Sequence, residues 1–539
     1  VFRSKYKNVW QYILEELHII IKMSGNTLEE LHIIIKKCSE MDDHQMLVEK
    51  NNISGKLSVI NLADISLFLN SLNNDDNIAT VFKMFRLYLE FKTFDEKDLK
   101  ELINICNKCL ILSDEFYPII VNEDVYVNTN QINFEKNMYI AELSLVMFMD
   151  FFCFTAGYKC WNRNIKLKEG NNFQKSILKK LGGKFLIAVT SRLGNYKWSN
   201  NILKNISKDI LEAVCHISNC HNVSSLVAGS ENPLVAWFPE GLFPKLLTEL
   251  TPRLYHNEWK KVPYLKHVLV WCVTKIKFPL LVSHISSILP FLLQLVDDYE
   301  TENKCLGIST IEYLINNVTP SDLCLHNHAD VIYDALFKQL YMNEDQVYEV
   351  TLSCLLKVLL VLYPKYNLEI KYTKWDDTLE KILENIEYTN KFSTKKILLN
   401  YLPEFFNHMD ISLVKHTDRI LSIIALTLEH SDGENEFCRN CALKILNKTL
   451  TQCSPVIFRY EDQILKFLMK FIIDLLLSEH LLCSSETKTK LFNELTNSIK
   501  QMKLCGGDRF EMKMRSIISA SVNEKFKCVQ NFLKLALEE

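Results

Sequence analysis

Ile285-Ser286-Ser287-Ile288-Leu289-Pro290-Phe291-Leu292-Leu293-Gln294-Leu295-Val296 is the stretch whose reading decides the fold. Its apolar residues recur at helical spacing, and it runs directly into a short acidic turn, Asp297-Asp298-Tyr299-Glu300. A second helical pattern follows from Asn303 through Gly307 to Asn317. Its stripe of Ile308, Ile311, Leu314, Ile315 and Val318 stops at Thr319-Pro320. Apolar residues at i, i+3, i+4 and i+7 bury one helix face against neighbours. The motif then begins again, with one helix from about Ala329 to Tyr341 and another from about Val347 to Tyr363. Pro364 ends the stripe of Leu352, Leu355, Leu356, Leu359 and Leu362. Helix–turn–helix at about 40 residues per unit lies in the HEAT/armadillo range. One such pair cannot bury its faces alone, so the units stack. The expected fold class is all-α, a HEAT/armadillo-like helical-repeat solenoid.

Composition agrees with this reading. The 539 residues include 13 Gly and 12 Pro, less than half the roughly 12% of an average protein. A sheet-rich chain of this length needs dozens of tight turns, which draw on those two residues. Hydrophobic residues are 48% and charged residues 24%, which excludes disorder as the dominant state. The stripe Ile464, Phe467, Leu468, Phe471, Ile472 and Leu475 repeats the helical period far downstream. A net charge of −3 and a pI near 6.6 give no basic face for nucleic acid.

The search for chemistry is mostly negative. The sequence holds no dinucleotide fingerprint, phosphate loop, nucleophile elbow or zincin motif. The 17 cysteines are odd in number and scattered. Cys153, Cys272, Cys354 and Cys528 fall in apolar periodic segments, as free thiols of a reduced compartment do. Cys106/Cys109 and Cys438/Cys441 have CxxC spacing, and Cys215-His216 lies near Cys220-His221. Zinc requires a matching pair in a loop-rich knuckle, so these are read as core cysteines, with no metal and no cofactor. Gly182-Gly183 and Gly506-Gly507 are read as lying between helices, the first pair at a helix C-cap. Asp297-Asp298 is read as a turn that caps the following helix, not as an acid–base pair. The chain is expected not to be an enzyme.

For organisation, Leu14–Lys22 recurs as Leu28–Lys36, interrupted by Ser24-Gly25-Asn26, and no function is built on residues 1–36. Residues 37–229 are expected to form an N-terminal helical-repeat half and 266–539 a C-terminal one. Between them, 230–265 collects Pro233, Pro239, Pro244, Pro252 and Pro263, with Trp237, Phe238, Phe243, Tyr255 and Trp259 interleaved. This stretch is read as a junction. Trp237 and Trp259 are its candidate interface anchors, because binding hot spots favour tryptophan; internal packing is the competing reading. Tyr139–Tyr158 is the most apolar segment, but it contains Glu142 and Asp150 and is read as a buried helix, not a membrane span. With Val1 first, the sequence is read as a fragment, and Val1–Lys7 is not followed by the apolar core of a secretory signal.

The segment from Leu289 to Pro364 goes beyond a generic repeat. It carries Leu289-Pro290, Leu295-Val296-Asp297-Asp298-Tyr299-Glu300, Asn303-Lys304, Gly307 and Asn316-Asn317-Val318. It continues with Asp330–Phe337, Leu340-Tyr341, Glu344 and Cys354-Leu355-Leu356. In these residues the chain resembles the second Tel-two-interacting protein family. Trp271 and Phe278-Pro279 upstream, and Tyr401–Phe405 downstream, fit the same pattern. The resemblance implies a non-catalytic scaffold subunit of the TTT cochaperone complex. It implies binding to the other two subunits, most directly the first Tel-two-interacting protein. With the ninety-kilodalton heat-shock chaperone, such a subunit supports maturation and stability of phosphoinositide-kinase-related kinases in DNA-damage and growth signalling. The implied location is cytoplasmic and nuclear, without nucleic-acid or membrane partners. The alternative is a HEAT/armadillo-type nuclear transport or adaptor protein, against which the near-zero net charge weighs. Within the motif, Gly307 is expected to allow close helix approach, Asp297 and Asn303 to cap, and Tyr333 and Tyr341 to pack with a polar tip. Pro290, Asp298 and Leu336 complete it as structural positions.

Overall fold

The computed structural model describes residues 86, 88, 89, 94–115, 134–158, 161, 170–229, 237–254, 258–342, 344–364, 372–477, 484–520 and 526–538. Residues 1–36, the whole of the duplicated segment, lie outside them, as do Pro233 and Tyr255. Every regular element among the described residues is helical, and the chain divides into two units, one ending at Ser287 and the other beginning at Ile288.

In the first unit, α1 (Leu99–Glu115), α2 (Phe134–Phe154), α3 (Asn172–Thr190) and α4 (Asn201–Ile217) are followed by the shorter α5 (Val223–Ala228), α6 (Phe243–Leu254), α7 (Glu258–Lys261) and α8 (Tyr264–Val273). Helix α3 is the hub, packing on α1, α2, α4, α6 and α8. It starts cleanly because Asn171 and Gln174 form a reciprocal capping box. Gly182 and Gly183 lie in its interior, not at a C-cap as the sequence suggested. A Cβ on Gly182 would sit 2.8 Å from Leu242, and one on Gly183 would sit 2.5 Å from the Lys245 carbonyl. The missing side chains are what let the α6 backbone seat on α3.

Helix α2 is long and apolar enough, by length and composition, to cross a membrane. Within the unit, 67% of its Asn137–Phe154 window is buried. Its buried Asp150 accepts from Arg86 Nε and from the Trp161 amide, each at 2.7 Å. These bonds answer a charge that burial alone would make costly.

The Pro- and aromatic-rich stretch is not where the chain divides. Helices α6 and α8 both pack on α3. Asp114 of α1 accepts from Arg253 of α6 at 3.1 Å and from the Tyr264 hydroxyl of α8. Of the described aromatics in this stretch, Phe238, Phe243 and Trp259 are buried.

The second unit repeats. Its leading helices are α9 (Ile285–Val296), whose first turn contains the division, then α12 (His328–Gln339), α14 (Lys374–Tyr388), α16 (Thr417–Glu429) and α19 (Glu461–Leu477). Each is answered by α10 (Thr301–Asn316), α13 (Asp345–Leu362), α15 (Phe392–Met409), α17 (Phe437–Gln452) and α20 (Ser485–Ala520, broken at Gly507). The short α11 (Pro320–Leu325) and α18 (Ser454–Ile457) are connectors, and α21 (Lys527–Glu538) closes the chain. Leading helices begin at residues 285, 328, 374, 417 and 461, steps of 43 to 46 residues. The answering helices stack as α10, α13, α15, α17 and α20, and the leading helices as α14, α16, α19 and α21. This is the layered pairing of HEAT/armadillo-like helical repeats. Thr319-Pro320 does more than stop α10: Thr319 caps α11 and Pro320 occupies its first turn.

Two features hold neighbouring helices at their spacing. Gly307 of α10 faces α9, and a Cβ there would lie 2.9 Å from Leu295 Cβ and 3.0 Å from the Leu292 carbonyl. Farther along, the buried Asp376 of α14 meets His416 Nε2 at 2.9 Å, Lys415 Nζ at 3.2 Å and the Thr373 amide at 2.8 Å. His416 and Lys415 belong to the segment leading into α16, so one carboxylate joins two successive repeats. Burial pushes the Asp376 pKa up, but the bonds from His416, Thr373 and Lys415 outweigh it and leave the carboxyl below its ordinary value.

The capping expectation needs correction. The N-cap of α10 is Glu300, which makes no side-chain cap bond, and Asp297 is exposed. Asn303, inside α10, donates to the buried Asp298 and to Glu300 at 2.8 Å, so it ties the turn from within.

Gly307→Leu is expected to lower unfolding stability by about 1–3 kcal/mol through overpacking, read as a fall in the denaturant midpoint and in soluble yield. Asp376→Ala is expected to cost roughly 2–3 kcal/mol near neutral pH, less than for a fully desolvated pair because Lys415 reaches solvent. Because the folded pKa is depressed, this contribution is full above the unfolded value of about 3.9. It fades as pH falls through the lower folded value, so the gap between wild type and variant should close in acid unfolding curves.

Candidate interaction edge of the second unit

Three successive turns of the second unit place an aromatic ring in solvent. Tyr299 follows α9, Tyr341 follows α12 and Tyr388 ends α14; they are 65%, 64% and 78% exposed. The turns are tied to one another. Thr301 donates to Glu344, Asn385 Nδ2 donates to the Leu340 carbonyl at 2.7 Å and to the Tyr348 hydroxyl at 3.2 Å, and Thr394 donates to Asp345. Since α10, α13 and α15 stack side by side, these bonds make the turns one continuous edge. Met342 and Phe392 add further exposed apolar surface to it. Clustered exposed apolar groups mark interaction surfaces, whereas scattered ones do not.

The edge continues into a cleft of about 240 Å³ between the α14–α15 turn and the end of α16. Its apolar lining is Ile386, Phe392, Ile423 and Leu426, with Lys391 and Lys395 beside them. Glu387 also borders the cleft, but Arg419 holds its carboxylate by two bonds of 3.0 and 2.8 Å.

The residues singled out in the sequence distribute unevenly. Leu336 is fully buried, and Pro290 lies exposed inside α9. Tyr333 is buried and donates to the Lys374 carbonyl at 3.2 Å, lies 3.1 Å from the Thr378 hydroxyl, and has Lys374 Nζ 4.4 Å over its ring. Burial pushes its phenol up to about 12, against the opposing bond from Thr378. Tyr341 packs only partly: its ring meets Phe337 edge-to-face with centroids 6.1 Å apart and lies beneath Lys381 Nζ, 4.0 Å from the ring centre, but most of it is in solvent. The two tryptophans are not free anchors. Trp259 is 2% exposed, and the half-buried Trp237 lies so close over Gly170 that a Cβ there would meet its ring at 2.3 Å. Tyr388 falls in none of the motifs singled out in the sequence. Its available signal was a tyrosine at the start of Tyr388-Thr389-Asn390-Lys391, a polar break where a ring has nothing to pack on.

Among the described residues no three metal-ligating side chains converge. Cys106 and Cys109 on α1, and Cys438 and Cys441 on α17, are buried. Burial pushes Cys109 up to about 12 and Cys441 up to about 11, which keeps both thiols protonated and poor as ligands or nucleophiles.

The geometry defines a helical-repeat protein whose most distinctive accessible feature is a row of turn aromatics ending in a cleft. Residues 168–435, which include most of that edge, match the Tti2 family. TELO2-interacting protein 2 of Homo sapiens is 27% identical over 369 residues, covering 68% of this chain and 71% of that protein. The Mus musculus protein of the same name is 29% identical, covering 60% of this chain and 63% of its own length, so the match spans less than two thirds of that relative. Among solved structures, importin beta is 11% identical with a TM-score of 0.42, covering 99% of this chain and 62% of that one.

The two motif tyrosines should respond oppositely to substitution. Tyr333→Phe is expected to cost about 1 kcal/mol of stability for its lost hydrogen bonds, and Tyr341→Ala to stay within about 0.5 kcal/mol of wild type, both by chemical denaturation.

Proposed function

We propose that the chain is a non-catalytic scaffold subunit of the TTT cochaperone complex. Its most direct partner is the first Tel-two-interacting protein. The third subunit, the ninety-kilodalton heat-shock chaperone and the phosphoinositide-kinase-related kinases are engaged through the assembly. In this role it supports kinase maturation and stability in the cytoplasm and nucleus, in DNA-damage and growth signalling. The observation that carries the reading is the match of residues 168–435 to the Tti2 family, with relatives named for interaction with TELO2. Stacked helical pairs suit the task, because they present long, preformed surfaces to an extended partner. A balanced charge of −3 favours a protein partner over a nucleic acid.

The test is co-expression with tagged first Tel-two-interacting protein. The expected result is a stable assembly whose native mass equals a whole-number combination of the subunits, while the purified chain alone hydrolyses no ATP. Failure to retain the chain on its partner, with the chain folded and soluble, removes the assignment.

A further inference from the structure

We propose that the cleft at the α14–α15 turn is a docking site for an acidic amphipathic helix of a protein partner, which inserts one large apolar side chain between Phe392 and Leu426. This rests on the scaffold reading above and says where and by what chemistry the partner is held. The cleft floor is formed by the buried Ile386 and Ile423, while Phe392 and Leu426 are 50% and 51% exposed and form its walls. A volume near 240 Å³ accepts one leucine-, methionine- or phenylalanine-sized side chain with room for its neighbours.

Charge selects the occupant. Lys391, the N-cap residue of α15, and Lys395, in its first turn, are four positions apart, about 6 Å along the helix axis, and both line the cleft with Phe392. Neither closes an ion pair with a described residue. The carboxylates nearby are already held. Glu387 is bonded to Arg419, and Asp345, whose charge Lys391 senses through space, accepts from Thr394 and Ser393. Two ammonium groups four positions apart, neither in an ion pair with a described carboxylate, match carboxylates at i and i+4, or i and i+3, on a partner helix. The apolar residue facing the same side would then enter the cleft. Two lysines beside an apolar slot are too few to track a phosphate backbone, which demands an extended basic surface. Continuity with the Tyr299–Tyr341–Tyr388 row gives the helix further surface beyond the cleft.

The experiment measures binding of purified first Tel-two-interacting protein to the full chain at low and high salt. Compared are wild type, Lys391→Glu/Lys395→Glu, Leu426→Asp and, as a control on an exposed leucine elsewhere, Leu504→Asp. All four positions are at the surface or half-buried, and thermal melts should coincide. The double charge reversal is expected to weaken binding by about tenfold or more and to remove most of the salt dependence. Leu426→Asp should weaken it comparably with little change in salt dependence, and Leu504→Asp should bind as wild type. Wild-type binding that both cleft variants retain within about twofold overturns this inference alone. Absence of wild-type binding overturns the scaffold reading and this inference with it. Capture of a labelled single-stranded oligonucleotide by the wild type but not the charge-reversal variant assigns the lysines to phosphate, and a wild-type dimer dispersed by Leu426→Asp assigns the cleft to a second copy. Either result overturns the acidic-helix proposal.

Discussion

A helix pair in this chain has more apolar surface than its two members can cover for each other. Helix α13 makes the point: Val347, Leu352, Leu355, Val358 and Leu359 are all fully buried, and covering them takes α10, α12 and α15 together. Each pair is therefore stable only against its neighbours, and the distance between neighbours becomes the quantity that must be held. Glycine sets that distance where backbones meet, at Gly307 against α9 and at Gly182-Gly183 against α6. Buried polar groups set it where chemistry must match, as Asp376 does for His416 and Lys415. Dense apolar packing rewards such spacing and penalises even a methyl group in excess.

That constraint decides where binding can occur. Interior faces are consumed by stacking, which leaves the turns and edges. Helix ends carry unsatisfied backbone groups that need partners, and the second unit meets part of this need across repeats, as when Asn385 donates to the Leu340 carbonyl. With polar side chains performing that work, the aromatic residues of the same turns face outward. A firm edge with rings in solvent thus follows from the way the turns are closed.

The period, the helical class and the approximate ends of α9, α10, α12 and α13 were legible because they depend on local rules: apolar spacing, a proline stop, an acidic turn. The errors share a different cause. Gly182-Gly183 obeyed the local rule for a helix end, yet its real determinant is the α6 backbone some sixty residues away in sequence. Asp297 and Asp298 are indistinguishable in sequence, but one is exposed and the other buried under Asn303. Tryptophans among prolines suggested a junction and an anchor; their burial depends on α6–α8 folding back, which periodicity cannot report. Tyr333 leaves the buried side of α12, whereas Tyr341 lies just past its end, in the turn. The cleft was invisible, because it joins the α14–α15 turn to the end of α16, and no motif spans both.

Net charge shows the same limit from the electrostatic side. A total of −3 argues against a polyanion-binding face, but it does not say which charges remain after folding. Around α14 the acidic groups are engaged one by one: Asp376 by His416 and Lys415, Glu384 by Lys381, and Glu387 by Arg419. Lys391 and Lys395 are left outside this pairing at the α14–α15 turn, so a chain that is slightly acidic as a whole presents a locally cationic, apolar slot. Exposed pairs within the protein contribute little to stability, whereas unpaired charges beside a desolvated pocket act on encounter rate and partner choice. The folded arrangement of neutralised and unneutralised groups, not the composition, is what makes this edge selective.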